Sequence, residues 1–547
     1  MPAGVIDVDP EKHHHNQRGT GEAADADKLG QLGYKQELRR GWSVLESFGV
    51  SFSIISVVTG LTTLFSFGLA TGGPGVMIGG WLFCSFFTLH VAASMAEVVS
   101  AVPTSGGPYH WAALLAPPAW SPFASYTCGF FNLLGQVAVT TGITFGEAGL
   151  ISTLASINGF EPTPGITIGI YAALLVVHAT INTFGIKTLG FFNRLSIAFH
   201  SLGVGSLAIA LLARAPTHRT AKEVFGTFYD GTGDPGWSIR ASPAYVAVVG
   251  ILLSQFTLTG FDASAHLSEE THNAAHAAPI GVLTSVGASA VFGFFLLSSY
   301  LFSIQDLEAT IDNPYGQPVL KIFVDVFGET GAIVAFSFVI CCVFLCGLCS
   351  LCSNSRMVYA FSRDGALPRY LSHVDDRWSS PVRAIWFSAF LSFLLALPSL
   401  GSSVAYAAAT NGLPVFILLL NRQRFQRIRG PFHLGRFSPI VGSITCAYIT
   451  FLVVVFCLPT VNPVDSQSLN YAPVCVGIVL AWTLGSWYFW ARKWFKGPRA
   501  EALSEVQREP GVDASAILSA DEKDDGDLKE RPSRHEIRKV LTDQVST

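Results

Sequence analysis

Charge is what this sequence has least of. Asp, Glu, Lys and Arg make up 13% of its 547 residues, whereas half of all residues are hydrophobic. A chain so poor in charge cannot clothe a soluble enzyme of this size, and it reads as a polytopic membrane protein. The net charge of −4 resides mostly in the two ends and the loops, leaving no basic face for nucleic acid. Asn-x-Ser/Thr is absent, so nothing marks a glycosylated outer loop. The apolar stretches carry no Ser-His-Asp, metal-ligating or phosphate-cradling pattern, which argues against an enzyme. The ten cysteines lie almost entirely inside apolar runs, where they act as small buried hydrophobes rather than disulfide partners. Cys342, Cys346, Cys349 and Cys352 share roughly one helical face, which suits close packing by small residues better than a soft-metal site.

What is present is a series of apolar runs of roughly 18 to 28 residues, each long enough to cross about 30 Å of hydrocarbon. They cover 47–70, 76–101, 123–156, 165–185, 190–213, 243–264, 280–303, 331–358, 382–400, 403–420, 437–459 and 470–492. The expected fold is thus all-α with about 12 transmembrane helices. Lys187, Arg194, Arg363, Arg369, Arg377, Arg383 and the five arginines between 421 and 437 cluster in loops on one side, which places that side and both ends in the cytoplasm. The loop 214–242 carries Arg and Lys on the other side, but it is long and also acidic. Residues 1–40, with His13, His14 and His15, read as a disordered cytoplasmic tail, too acidic for a targeting sequence. Residues 41–498 form the transmembrane domain, and 499–547 a second disordered cytoplasmic tail.

Two of the spans are interrupted. Thr59-Gly60 lies midway along the first, and the sixth reaches Thr259-Gly260 within QFTLTGFDASAHLSEET before turning polar. Glycine beside threonine weakens a helix and frees backbone groups that lipid cannot satisfy, so such breaks line a cavity or a binding site. Close helix packing is the competing reading. In inverted-repeat transporters the first span of each half breaks in this way, and the half-helix ends hold substrate and ion. Amides near Ser56, Val57, Val58, Thr59 and Gly60 are then candidates for a substrate carboxylate, and carbonyls of Phe256, Thr257, Leu258 and Thr259, beside Gly260, for an ammonium. Asn132 and Gln136, one turn apart on the third span, point to a pocket or to hydrogen bonds between helices. Ser350 is a further candidate. Asp262 either senses a coupling ion, anchors its span or caps the helix that follows. Phe256 or Phe261 could close the site as an aromatic lid. Glu97 fits a structural role with an inner loop, and Glu147 lies towards the end of its span. His90, His178 and His200 are intramembrane groups able to change charge near neutral pH, and only His200 lies mid-span.

Four stretches in order, GWSVLESFGVSFS (Gly41 to Ser53), MAEVVSAVPTSGGPYHWAA (Met95 to Ala113), FTLTGFDASAHLSEET (Phe256 to Thr271) and NSRMVYAFSRDGALP (Asn354 to Pro368), carry a resemblance. The chain resembles the amino acid-polyamine-organocation transporters, in particular the fungal amino acid and choline permeases that include GABA permeases. That resemblance implies two inverted five-helix repeats, about 47–213 and 243–420, and two extra helices at 437–492, working by alternating access. It implies uptake of amino acids or amines such as GABA, with choline or polyamine as the alternative and a non-transporting nutrient sensor as the reading from another class. No cofactor is expected, and the coupling ion is a proton. His200 matches a position where proton-coupled relatives carry a lysine facing broken helix 1. The plasma membrane is the expected location, with a vacuolar or other internal membrane the alternative. One departure stands out: Ala405 to Asn411 runs straight into Gly412-Leu413-Pro414, so the tenth span is short for the family.

Overall fold

The computed structural model describes residues 25–30, 32–396, 413–465 and 468–498. Regular structure among them is helical, with three isolated β-bridges besides. The first span comes in two pieces, α1 (Val44–Ile55) and α2 (Val57–Thr63). It is followed by α3 (Gly73–Ala101), the short α4 (Pro108–Leu115), α5 (Ser121–Ser156), α6 (Pro164–Thr183) and α7 (Ile186–Arg214). The second half begins with α8 (Pro243–Thr257) and one turn, α9 (Ala263–His266), and continues with α10 (Ala274–Phe302), α11 (Pro318–Arg363) and α12 (Val382–Ala396). The last spans are α13 (Gly435–Val455) and α14 (Ala472–Trp494).

Among the described residues nine helices are long and apolar enough to cross a membrane, and α8 and α12 are shorter apolar helices. The expected tenth span, 403–420, lies outside the described residues as far as 412; 413–420 are helical. Helix starts follow simple chemistry. α5, α6, α8 and α11 each open with proline in the first turn, where its missing N–H costs nothing. Thr163, Ser242 and Gln317 accept first-turn amides with their side chains. At α1, Ser43 and Glu46 cap each other reciprocally.

α3 packs along α10, α5 along α11, and α1 against α10. Small residues make the first of these contacts close: Gly293 of α10 lies against the indole of Trp81, which donates from Nε1 to the Ala290 carbonyl at 2.9 Å. The amino-terminal segment differs from the sequence reading. The expected tail ran to residue 40, but from Asp25 onward the chain packs on the bundle and buries Leu29, Leu32, Tyr34 and Leu38. Those four apolar residues are spread through a polar stretch, so no periodic run announced them.

A Cβ on Gly293 would stand 2.0 Å from Cζ2 of Trp81. Gly293→Leu should therefore destabilise the folded protein by about 1–3 kcal/mol or more, measured as a lowered thermal unfolding midpoint in detergent relative to Gly287→Leu, where a Cβ meets nothing within 4 Å.

Candidate functional site

The first break lies four residues before the glycine that signalled it. Ser56 takes φ 28° and ψ 81°, a conformation costly for a side-chain-bearing residue, and ends α1 by donating its amide to Phe52. It then starts α2: its carbonyl accepts the amides of Thr59 at 2.9 Å and Gly60 at 3.2 Å. Those two amides, expected to face substrate, are thus engaged within the chain. The amides of Val57 and Val58, in the first turn of α2, have no intrahelical acceptor. Gly60 has a different use, because a Cβ there would come within 2.3 Å of Oγ1 and 2.7 Å of Cα of Thr257. The glycine lets the two broken helices touch.

The second break lies where expected. α8 ends at Thr257, and Gly260 turns at φ 92° with Ile54 of α1 packed where a side chain would stand. The Phe256 carbonyl is occupied by the amide and hydroxyl of Thr259, whereas those of Thr257 and Leu258 accept none of the hydrogen bonds found among the described residues. Leu258 itself is fully buried.

Two small pockets adjoin these ends. One is bounded by Thr59, Gly60, Ile143, Phe256, Thr257 and Thr259, and the other by Asn132, Gln136, Gly260, Asp262 and Ser353; Ile54 and Val139 line both. Gln136 is fixed at both ends, accepting from Ser353 Oγ at 3.2 Å and donating from Nε2 to Asp262 Oδ2 at 3.1 Å. Asn132 Nδ2 is buried with no hydrogen-bond partner among the described residues. Ser350 lines neither pocket and pairs with Thr140 at 3.0 Å, tying α11 to α5. Phe256 lines the first pocket, whereas Phe261 is buried outside both.

His200 sits on a π-helical turn, Phe199–Gly203, within α7, a local irregularity common at functional positions. Its Nε2 lies 2.7 Å from the Ser56 hydroxyl and its Nδ1 2.9 Å from the Ser196 carbonyl. It therefore touches the break, at Ser56 rather than at Thr59-Gly60. His178 packs on Phe344 of α11, and His90 bonds its own helix. Glu97 accepts the Leu434 amide at 3.1 Å, joining α3 to the loop before α13.

Sequence reasoning gave no role to the residues that close the face carrying the amino-terminal segment. Arg363 clasps Glu269 with two bonds of 2.9 Å, and Arg356 Nε reaches Glu270 at 2.7 Å. Both arginines fall in the fourth quoted stretch, seven residues apart and so on one face of α11, and both glutamates in the third. Burial alone would raise the Glu269 carboxyl, but the Arg363 guanidinium outweighs it and holds the group below the usual carboxylate range. The amino-terminal segment covers this junction: Tyr34 donates to Asp364 at 2.8 Å and lies 4.0 Å under Arg363, and Glu270 accepts the amides of Gly41 and Trp42. His110 packs at a tilt against the Tyr34 ring, and burial followed by the nearby Arg363 pushes its imidazole down to about 3.

A multi-pass helical membrane protein whose first and sixth spans break beside shared pockets is the class these features define. Comparison with known proteins narrows it. A family model described as amino acid permease matches residues 45–481. Amino-acid permease BAT1 of Arabidopsis thaliana is 40% identical over 87% of this chain and 96% of its own length, and its rice homolog is 41% identical over 88% and 96%. The GABA-specific permease of Saccharomyces cerevisiae is 31% identical over 90% and 89%. The chain belongs to the amino acid permease family.

Two expectations follow from this geometry. Gly60→Leu and Gly260→Leu should each abolish uptake while the protein still reaches the membrane, because one forces the broken helices apart and the other adds a side chain at φ 92° against Ile54. Uptake per surface molecule checks this. At the opposite end, His110 is held neutral in the fold, so acidification below the ordinary histidine value charges it only in the unfolded chain and removes stability. The loss amounts to about 1.4 kcal/mol per pH unit, and falling pH next erodes the contribution of Glu269. His110→Phe should show a smaller drop in unfolding temperature between pH 7 and pH 5 than the native chain.

Proposed function

We propose that this chain is a proton-coupled secondary transporter that moves amino acids or related primary amines, including the γ-aminobutyrate class, across a membrane by alternating access. The observation that carries the reading is the meeting of two helix ends of opposite polarity. The first-turn amides of α2 at Val57 and Val58 present partial positive charge, and the terminal carbonyls of α8 at Thr257 and Leu258 present partial negative charge. A zwitterion fits between them without any charged side chain. Asn132, Gln136 and Thr59 supply neutral polar contacts in the adjoining pockets, and Phe256 covers one of them.

His200 is the proton site in this reading. A carbonyl can only accept, so Nδ1 donates to Ser196, and the neutral ring receives the Ser56 hydroxyl at Nε2. A proton on Nε2 reverses that bond: the imidazolium donates, and the Ser56 hydroxyl must turn to another acceptor such as Thr59 Oγ1, 2.5 Å away. The hinge of the broken helix thus feels the charge state directly. Asp262, at the other break, is the second ionisable group within reach of the pockets. Choline fits less well, since a quaternary ammonium favours a cage of aromatic faces and Phe256 is the one aromatic among the described pocket-lining residues.

Uptake of radiolabelled amino acids, γ-aminobutyrate, choline and putrescine, with and without a pH gradient, tests the function. His200→Ala should keep exchange but lose accumulation driven by the gradient, read as uptake per surface molecule at pH 5 and pH 7.5. An alanine variant that still concentrates substrate with unchanged pH dependence would remove His200 from the mechanism.

A further inference from the structure

Asp262 occupies the N-cap position of α9, yet its side chain makes no capping hydrogen bond. The carboxylate is instead turned to the pocket wall, where Oδ2 accepts from Gln136 at 3.1 Å and the residue is 6% exposed. No Lys or Arg among the described residues pairs with it. The nearby cationic candidate is His266, whose Nε2 lies 3.7 Å from Oδ2. But His266 Nδ1 meets the Ser105 carbonyl at 2.9 Å and must donate to it. In the neutral ring Nε2 therefore carries a lone pair, which offers Asp262 nothing, and that nitrogen has no hydrogen-bond partner among the described residues. Among the described residues, this buried carboxylate facing a pocket is held by one amide, has no Lys or Arg counter-ion, and gains a cationic neighbour only when the His266 ring is protonated.

We infer that Asp262 receives the terminal ammonium of an ω-amino acid, which makes it a specificity-determining residue. This rests on the transport reading above. The two pockets share the apolar walls Ile54 and Val139. An α-amino acid, whose ammonium and carboxylate sit on one carbon, satisfies both groups at the helix ends alone. A substrate with several methylenes between its charges lays those methylenes along Ile54 and Val139 and brings its ammonium to Asp262, where a primary amine can hydrogen-bond. The remaining N–H groups find Gln136 and Asn132 in the same pocket.

The test uses the full chain in proteoliposomes at one fixed pH, with radiolabelled γ-aminobutyrate and alanine as probes. The native protein should discriminate between γ-aminobutyrate and its isomer 2-aminobutyrate, favouring the former, because the two differ only in where the ammonium sits. Asp262→Asn should lower the kcat/KM ratio of γ-aminobutyrate to alanine at least tenfold, mostly through KM, and Asp262→Glu should recover part of it. Equal loss for both substrates, an unchanged ratio, or a native protein that carries alanine but no ω-amino acid would overturn the inference and leave amino acid transport standing. A native protein that carries nothing in the panel overturns both. If the Asn variant fails to fold, the isomer comparison on the native chain decides.

Discussion

A backbone amide or carbonyl released inside an apolar bundle must find a partner, and this requirement shapes the centre of the molecule. The Ser56 carbonyl takes two amides and its own amide returns to Phe52. At the other break Thr259 folds back on the Phe256 carbonyl with both its amide and its hydroxyl. Each break thus satisfies much of its own backbone and leaves a short remainder: two amides at one helix start, two carbonyls at one helix end. Gly60 permits α2 to touch α8 at Thr257, and Thr59, Gly60 and Thr257 line one pocket together. The polarity of the site is a property of the main chain, fixed by where the helices stop.

Apart from Asp262, full charges are kept elsewhere. Arg356, Arg363, Glu269 and Glu270 gather at the face covered by the amino-terminal segment, and all four side chains are almost entirely shielded. Removing such groups from water is costly, and two-pronged guanidinium–carboxylate geometry with a further bond from the Ser105 amide to Glu269 offsets the cost. The same contacts hold the chain between α9 and α10 against the end of α11, so that face is shut by ion pairs while the pockets remain lined by neutral groups and one carboxylate.

The class of fold was legible in the sequence because hydrophobic length is a strong signal: most expected spans appear within a few residues of their observed limits. The second break was legible too, since a glycine at φ 92° has few substitutes. The first was displaced because Thr59-Gly60 marks a close approach of helices, and the residue that bends is a serine, which carries no such signature in a sequence. Asn132 and Gln136 were found by their rarity among apolar neighbours and do line one pocket, whereas Ser350 shares that rarity but serves the α5–α11 contact. Ser353, Ile54 and Val139 were missed: nothing in a one-dimensional pattern separates them from ordinary packing residues. The pairs Arg363–Glu269 and Arg356–Glu270 join residues more than eighty positions apart, a distance over which residue spacing is silent.

α11 runs from Pro318 to Arg363, turning at Gly328, and its last stretch is unbroken helix. Ser353 touches Gln136 at the pocket, and ten residues later Arg363 holds Glu269, a separation of about 15 Å along one helix. A stiff rod of that length transmits rotation with little loss. The pocket contact of Ser353 and the arginine latch are thus carried by one continuous helical segment, so a rigid-body movement of that segment would displace both together.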